Sequence, residues 1–239
     1  MSCILNIETS TSVCSVALSM DGEVLFAKAS FDGPSHAALL GVFVEEALSV
    51  LKKKGKKALD AVAVSSGPGS YTGLRIGVSV AKGLCFGFGI PLIGIHTLDI
   101  MAATVNSKGD SQIVSMTDNC LYCAMLDARG MEVYAAIYDA SLKPVRETKA
   151  DIVEVGTYAS YLEKGKVCFF GNGASKCKSV ITSPNAIFIE DIHPLAVNMI
   201  PLSEQAFAAG KFEDTAYFEP FYLKEFQATV AKNKVLLAR

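Results

Sequence analysis

The stretch SSGPGSYTGLRIGVSVAKGL, residues 65–84, decides how this sequence is expected to fold. A short apolar run at 60–65 predicts a buried strand, and the Gly-Pro-Gly-Ser turn at 67–70 predicts a tight passage into a helix over 71–88. The N-terminus of a helix after such a turn can bind an anion. Neither G-x-x-x-x-G-K-[ST] nor G-x-G-x-x-G is present, however, so the pattern favours a structural turn over a phosphate site.

The same order of elements occurs on both sides of the chain's midpoint. Residues 3–105 read as β-β-β-α-β-α-β-α, and residues 121–209 repeat that order. A duplication of this kind predicts an α/β protein with two mixed-sheet lobes and a cleft between them. We expect an N-terminal lobe over 1–107 and a C-terminal lobe with a C-terminal tail over 108–239, with the boundary in the polar segment 106–110.

Three local patterns make sharper predictions. Asp21-Gly22, between two β-rich runs, predicts a hairpin turn in which both residues have positive φ. Ser35 is placed to cap a helix that runs to about Lys54, where the run of lysines from 52 to 57 indicates a solvated helix end or a phosphate-backbone contact. Residues 152–162 are predicted to form a further helix.

Composition limits the class of protein. The 239 residues are 51% hydrophobic and 19% charged, which excludes a disordered chain, and a formal net charge of -2 argues against tight nucleic-acid binding by this chain alone. The longest charge-free apolar stretch, residues 83–95, is too short to span a bilayer, and the N-terminus lacks a basic signal-peptide region. Seven scattered cysteines indicate reduced, buried thiols, so a cytoplasmic location without membrane contact is expected.

Recognisable catalytic residues are missing. The three histidines form no H-E-x-x-H motif, and no G-x-S-x-G motif is present, so we predict neither a catalytic residue nor a metal ligand. Glu8, before Thr9 and Ser10, either holds a water or Mg²⁺ near the glycine-rich turn or is a solvated strand end. The glycines of Gly171-Asn172-Gly173 either admit a nucleotide base to the backbone or form an ordinary turn. The candidate residues of a vestigial nucleotide site are therefore Glu8, Thr9, Ser10, Gly171 and Gly173.

The two helices around the glycine-rich turn carry few charges. Residues 37–51 and 71–88 hold two charged side chains each, which predicts either a deep core position or a subunit interface, and we favour the interface. Glycine inside a helix costs about 1 kcal/mol relative to alanine, so the four glycines of the second helix are expected to permit close packing. These are Gly73, Gly77, Gly83 and Gly87.

Four segments carry a resemblance to a known family. They are ILNIETSTSVCSVAL (4–18), the central block continued by PLIGIHTLDIMA (91–102), LDARGMEVYAAIY (126–138) and FEPFYLK (218–224). In this order the four segments resemble the bacterial TsaB (YeaZ) family, and the resemblance extends over nearly the whole chain. The central block is the most specific of the four segments. The resemblance implies two ribonuclease H-like lobes of the actin-like ATPase superfamily.

The resemblance also implies a function. TsaB is a non-catalytic paralogue and partner of TsaD, and with TsaE the two transfer a threonylcarbamoyl group to N6 of the adenosine beside the tRNA anticodon. TsaD carries histidine metal ligands after its matching strand, and those positions fall here on Thr97 and Met101. A thioether is a poor ligand for a hard metal ion. Glu8 stands where the superfamily commonly has Asp. We therefore expect no enzyme activity from this chain alone.

The implied partners are a TsaD-like catalytic subunit, a TsaE-like ATPase, a second copy of the chain when alone, and tRNA only through the complex. ATP or ADP and the metal are expected on the partner subunits. The family pairs through the two helices of the N-terminal lobe, which match the undercharged helices described above. The contact candidates are Leu39, Leu40, Phe43, Tyr71, Leu74, Arg75 and Val78.

Two other functions compete with the scaffold role. A small-molecule kinase of the same superfamily would use the segment Glu8-Thr9-Ser10 and the turn at 171–174 to bind ATP. A glycoprotease-like peptidase would need a nucleophile or metal ligands that the sequence does not display.

Overall fold

A computed structural model describes residues 2–33, 35–55, 58–107 and 120–224. The first five strands form one sheet in the order β3-β2-β1-β4-β5. β1 pairs antiparallel with β2 and parallel with β4, which places the carboxyl end of β1 beside the carboxyl end of β4. The strands are β1 (Cys3–Glu8), β2 (Cys14–Met20), β3 (Glu23–Ser30), β4 (Ala61–Gly67) and β5 (Leu92–His96).

Three helices belong to this half of the sequence: α1 (His36–Lys53), α2 (Tyr71–Phe88) and α3 (Thr97–Ser107). α1 and α2 cover one face of the first sheet, and their buried sides join β1 and β2 in one core cluster. Capping interactions fix where α2 begins and where it ends. The Ser70 hydroxyl accepts the Gly73 N–H at 3.2 Å, and Gly89 ends the helix in the left-handed conformation at φ 64°.

The second sheet has the order β10-β9-β6-β7-β8, which repeats the topology of the first. Its strands are β6 (Leu121–Arg129), β7 (Glu132–Tyr138), β8 (Pro144–Ile152), β9 (Val167–Phe170) and β10 (Ala186–Ile189). The helices of this half are α4 (Ala159–Leu162), α5 (Ala174–Cys177), a 3₁₀ turn (Ala196–Met199) and α6 (Ile200–Ala208). The predicted duplication and the α/β class are thereby confirmed.

The last helices of each half pack on the sheet of the other half. Leu98, Met101 and Val105 of α3 lie in one cluster with β6, β7 and β9. Ala196, Met199 and Ile200 lie against the first sheet. α3 contacts both sheets, since its Ile100 packs with the first one, and the segment 196–208 packs on the first sheet. The lobe bounds 1–107 and 108–239 stay predictions. Of the predicted boundary segment 106–110, residues 108–110 lie outside the described residues.

The local predictions had different outcomes. Asp21 and Gly22 have φ values of 50° and 82°, which confirms the hairpin turn. Ser35 precedes α1 as predicted, but its hydroxyl makes no capping hydrogen bond and instead donates to the Gly33 carbonyl at 3.2 Å. The helix predicted over 152–162 is wrong except for α4, because Ile152 still belongs to β8 and Gly156 adopts φ 89°.

Two further expectations concern the whole chain. All seven cysteines are buried and none forms a disulfide, as the scattered pattern predicts. Within the described residues, no helix combines the length and the apolar character needed to cross a bilayer.

Candidate functional site

A cleft of about 750 Å³ lies between the two lobes. Six segments line it: the turn after β1, the start of α1, the turn and first residue of α2, the β6–β7 hairpin, the turn after β9, and residues 221–224. The lining includes Ser10, Thr11, His36, Tyr71, Glu132, Phe221, Tyr222 and Lys224. The cleft is a concave surface shared by both lobes, and such surfaces are the usual place for a binding site.

The glycine-rich centre fixes the floor of this cleft. A Cβ on Gly69 would lie 2.3 Å from the Ser10 carbonyl oxygen, and one on Gly73 would lie 2.2 Å from the Thr9 carbonyl oxygen. A Cβ on Gly77 would meet the Thr9 hydroxyl at 2.2 Å. That hydroxyl donates to the Gly73 carbonyl at 2.8 Å. These glycines therefore let α2 lie directly against the turn after β1, as their spacing predicts.

Glu8 lies beneath this turn and is fully buried, so it is not a solvated strand end. Its Oε1 accepts the Ser10 N–H at 2.8 Å, and its Oε2 has no hydrogen-bond partner. Burial raises the pKa of Glu8 to about 7, against the opposing effect of nearby hydrogen-bond donors. The Glu8 carboxyl is therefore closed off from solvent and held by the turn after β1 through Oε1.

Two buried polar atoms at the cleft are left without a partner. Ser10 is 1% exposed and His36 is 5% exposed, and neither the Ser10 Oγ nor the His36 Nδ1 has a hydrogen-bond partner. His36 Nε2 lies 2.8 Å from the Thr11 carbonyl oxygen, which can only accept, so Nε2 carries the proton. In the neutral ring, Nδ1 is then an acceptor at the edge of the cleft.

The protein packs closely around Gly171 and Gly173. A Cβ on Gly171 would lie 2.1 Å from the Met101 Cε and 2.3 Å from the Met125 carbonyl oxygen. A Cβ on Gly173 would lie 2.8 Å from the carbonyl carbon of Leu126. On the side where a side chain would project, the space beside both glycines is filled by the protein itself. Access of a nucleotide base to this turn stays a prediction.

The positions that match the metal ligands of TsaD do not fit a metal ion. Thr97 and Met101 are both fully buried, and the Met101 methyl group packs against Gly171. Within the described residues, no three His, Cys, Asp or Glu side chains are close enough together to hold an ion. The donor set therefore does not suit a TsaD-type metal centre.

The contact candidates divide into two groups. Leu40, Phe43, Leu74 and Val78 are at most 5% exposed, so they lie inside the protein. The prediction that these four side chains contact a partner is wrong, because a side chain inside the core offers no accessible surface to another subunit. The other three, Leu39, Tyr71 and Arg75, keep accessible surface and stay predictions.

Sequence reasoning missed the most exposed aromatic side chains of α2. Phe86 is 89% exposed and Phe88 is 49% exposed. A Cβ on Gly83 or Gly87 would meet nothing within 4 Å, so these two glycines lie at the surface. The buried stripe Leu74, Val78, Ala81 and Cys85 has helical spacing, and extending it along α2 would have placed Phe86 outside.

The FEPFYLK segment, which the sequence left without a role beyond the resemblance, reaches the cleft. Phe221 donates its N–H to the Ser66 carbonyl at 2.6 Å, and the Tyr222 ring contacts the Tyr71 ring with 5.2 Å between centroids. Lys224 forms an ion pair with Glu132 of β7. The segment therefore contacts both lobes.

Two five-stranded sheets of the same topology, with a cleft between them, define the class of protein. The chain has the fold of the actin-like ATPase superfamily, built from two ribonuclease H-like lobes. The model of the family described as "TsaD: tRNA N6-adenosine threonylcarbamoyltransferase" matches residues 33–232.

Comparisons with individual proteins narrow the family. The Escherichia coli "tRNA threonylcarbamoyladenosine biosynthesis protein TsaB" is 31% identical over 245 aligned positions, covering 92% of this chain and 94% of that protein. The solved structure "YeaZ from Pseudomonas aeruginosa" has a TM-score of 0.72 at 26% identity and covers 93% of this chain and all of that one. A second Pseudomonas aeruginosa structure, described as similar to peptidase YEAZ, has a TM-score of 0.78 at 26% identity, with 94% and 100% coverage. The chain belongs to the TsaB (YeaZ) family, as the four sequence segments indicate.

Proposed function

We propose that this chain is a non-catalytic subunit in tRNA threonylcarbamoyladenosine biosynthesis, and that it activates a TsaD-like transferase by binding to it. The observation that carries the proposal is the extent of its likeness to TsaB, which covers 92% of this chain. Its likeness to the Geobacillus kaustophilus protein named "tRNA N6-adenosine threonylcarbamoyltransferase" is 37% but covers only 39% of this chain. Among these individual proteins, the likeness thus extends over more of the chain toward the biosynthesis protein than toward the transferase.

The residues of the chain support a role without turnover. Thr97 and Met101 replace imidazole ligands with a hydroxyl and a thioether, and both side chains are buried. Glu8, Thr9, Gly171 and Gly173 are committed to hydrogen bonding and packing inside the protein. We therefore assign the nucleotide and the metal to the partner subunits, a TsaE-like ATPase and the TsaD-like transferase, with tRNA bound through the complex.

The exposed face of α2 is the proposed docking surface. Arg75, Ser79, Gly83 and Phe86 form one accessible stripe along this helix, because they recur at spacings of three and four residues. Phe86 is 89% exposed, and a large aromatic side chain at such a position is a strong candidate for an interface hot spot. The open space at Gly83 and Gly87 lets a partner backbone approach α2 closely. The same face suits a second copy of the chain when the transferase is absent.

Reconstitution of the modified nucleoside tests the catalytic claim. We expect the purified chain to form no product from threonylcarbamoyl-adenylate and tRNA, and to raise product formation when added to a TsaD-like transferase and its ATPase. Formation of the modified nucleoside by the chain alone would overturn the non-catalytic role. Absence of any stimulation would overturn the role as an activating subunit.

A pair of matched variants tests the docking surface. Phe86→Ser is expected to lower both transferase capture and product formation, because it removes an exposed aromatic anchor. Val155→Ser is the control, since Val155 is 88% exposed on the C-terminal lobe and lies outside α2. If the two variants behave alike, α2 is not the docking surface.

A further inference from the structure

A groove of about 410 Å³ lies beside the second sheet, and no described residue lines both this groove and the interlobe cleft. One wall is the stretch 154–163, which follows β8 and contains α4, and the other wall is the segment 180–185. The Asn185 Nδ2 donates to the Leu162 carbonyl at 2.8 Å, which joins the two walls. We call this feature the β8–α4 groove.

The floor of the β8–α4 groove is apolar. Tyr158 is 1% exposed, and Leu162 and Ile181 are each 7% exposed. All three belong to the core cluster that packs against the second sheet. An aliphatic side chain in the groove would therefore extend this core and leave water.

Val155 lies beside this floor and is 88% exposed. A hydrogen-bonded turn holds it there: the Glu154 N–H donates to the Thr157 hydroxyl at 2.8 Å, and the Thr157 N–H donates to the Glu154 carbonyl at 3.1 Å. Gly156 supplies the positive φ of 89° that the turn requires. A large aliphatic side chain that a defined turn holds in solvent, next to an apolar groove, indicates a contact surface.

The rim of the β8–α4 groove is acidic. Among the described lining residues, Glu154 and Glu163 are the only charged ones. Neither carboxylate forms an ion pair with a described Lys or Arg. The groove therefore suits an aliphatic segment that carries positive charges beside its apolar side chains.

Residues 225–239, which lie outside the described residues, have the matching composition. They contain the aliphatic run Val235-Leu236-Leu237, with Lys232 and Lys234 before it and Arg239 after it. From 226 to 239 the sequence has no Asp or Glu, so every charge in this stretch is positive. The segment is thus complementary to the groove in both apolar character and charge.

The segment is also long enough to reach the β8–α4 groove. Lys224 forms an ion pair with Glu132, and Glu132 is the ladder partner of Ile152, three residues before Val155. The path through these contacts from Lys224 to Val155 is no longer than about 30 Å, whereas the extended chain from Lys224 to Val235 spans about 36 Å.

Charge disfavours the other large exposed apolar surface as the binding site of this segment. Phe86 is 89% exposed on α2, but the charged side chains of that helix are Arg75 and Lys82. A cationic segment on α2 would therefore meet like charges, while the rim of the β8–α4 groove offers two unpaired carboxylates.

We propose that residues 225–239 bind back onto their own chain, with Val235, Leu236 and Leu237 in the β8–α4 groove and the flanking cations beside Glu154 and Glu163. The groove lies outside α2, so the inference is independent of the function proposed above.

Photocrosslinking in the full chain tests the proposal. In a Leu236→p-benzoylphenylalanine variant, irradiation should link position 236 to residues 154–163 or 180–185, which mass spectrometry of the digested protein identifies. A mixture of isotope-labelled and unlabelled chains distinguishes the partner, because a link within one chain carries a single isotope composition. Links to α2, to the interlobe cleft or to a second copy of the chain would overturn the proposal, and so would the absence of any specific link.

Charge reversal at the rim gives a second readout. In the same background, Glu154→Lys and Glu163→Lys should each lower the yield of the link to the groove about threefold, because each replaces an attraction by a repulsion between exposed charges. Glu147→Lys is the matched control, since it makes the same charge change at an exposed position of β8 outside the groove. Equal yields in all three variants would overturn the proposed charge contacts and with them the assignment of the groove.

Discussion

The two halves of α2 use the same sequence pattern for opposite purposes. Gly73 and Gly77 in the first half lie against the turn after β1, with Cβ positions only 2.2 Å from Thr9 atoms. Gly83 and Gly87 in the second half have the same spacing, but none of the described residues lies within 4 Å of their Cβ positions. One pair brings backbone into contact inside the lobe, and the other pair leaves room on the surface.

The difference shows that a glycine pair four residues apart does not reveal what approaches it. At Gly73 the neighbour belongs to the same chain, and any substitution acts on folding. At Gly83 no neighbour is present in the part of the chain that the structure describes, so a substitution acts on helix propensity and on whatever docks there. Stability and association measurements can therefore separate the two halves.

The largest effect is expected at the inner pair. Gly73→Ala should lower the free energy of unfolding by about 4 kcal/mol, because the new Cβ overlaps the Thr9 carbonyl oxygen in a core that cannot yield. Urea unfolding followed by circular dichroism measures this loss. Gly83→Ala is the matched control on the same helix, and a similar loss in both variants would remove the contrast between the halves.

The second-largest effect is expected in the pH dependence of stability, through Glu8 beneath the turn that packs on the first half of α2. Because the pKa of Glu8 is raised to about 7 in the fold, ionisation is disfavoured there, and the stability present below the ordinary pKa of 4.5 is lost as the pH rises through 7. Relative to Glu8→Gln, the native chain should lose about 3 kcal/mol of unfolding free energy between about pH 4.5 and about pH 8. Urea titrations of both proteins across this range provide the comparison. Parallel pH profiles would show that Glu8 does not titrate in this way.

Association is expected to respond at the outer half. Phe86→Ala should weaken binding of a TsaD-like partner by about 30-fold, or about 2 kcal/mol, since exposed aromatic anchors dominate interfaces. Calorimetric titration gives the Kd, and the unfolding free energy should stay nearly unchanged. Ser79→Ala, on the same accessible stripe, controls for a general effect of substitution. Unaltered affinity in Phe86→Ala would place the interface elsewhere.

The smallest effect is expected at the outer glycines. Gly83→Ala should raise the free energy of unfolding by about 0.5–1 kcal/mol, because alanine favours the helix and its methyl group enters open space. The same substitution should weaken partner binding if a partner backbone lies against Gly83. A destabilised Gly83→Ala protein would mean that the site is not open, which thermal unfolding would reveal.

The elements around the cleft could be predicted from the sequence, but the surroundings of individual side chains could not. The order of strands and helices, the helix over 71–88 and the tight turn before it follow from periodicity and from the Gly-Pro-Gly-Ser turn, and they match the structure. The role of Glu8 did not follow, because a strand-end carboxylate is solvated or buried according to what packs above it. The seven contact candidates were chosen without knowledge of which helix face meets the sheet, and four of them fell on the buried face.

Local and repeated features follow from the amino-acid sequence alone: the duplicated order of strands and helices, the hairpin at Asp21-Gly22, the length of α2 and the family likeness. These depend on contacts between residues that are near in the chain, or on a pattern that repeats. The contacts of α3 and α6 with the sheet of the other half, the burial of Glu8 and the path of residues 213–221 along the first sheet are visible only in the folded protein. Those features depend on which distant surfaces meet, and a one-dimensional pattern does not encode the partner of an apolar face.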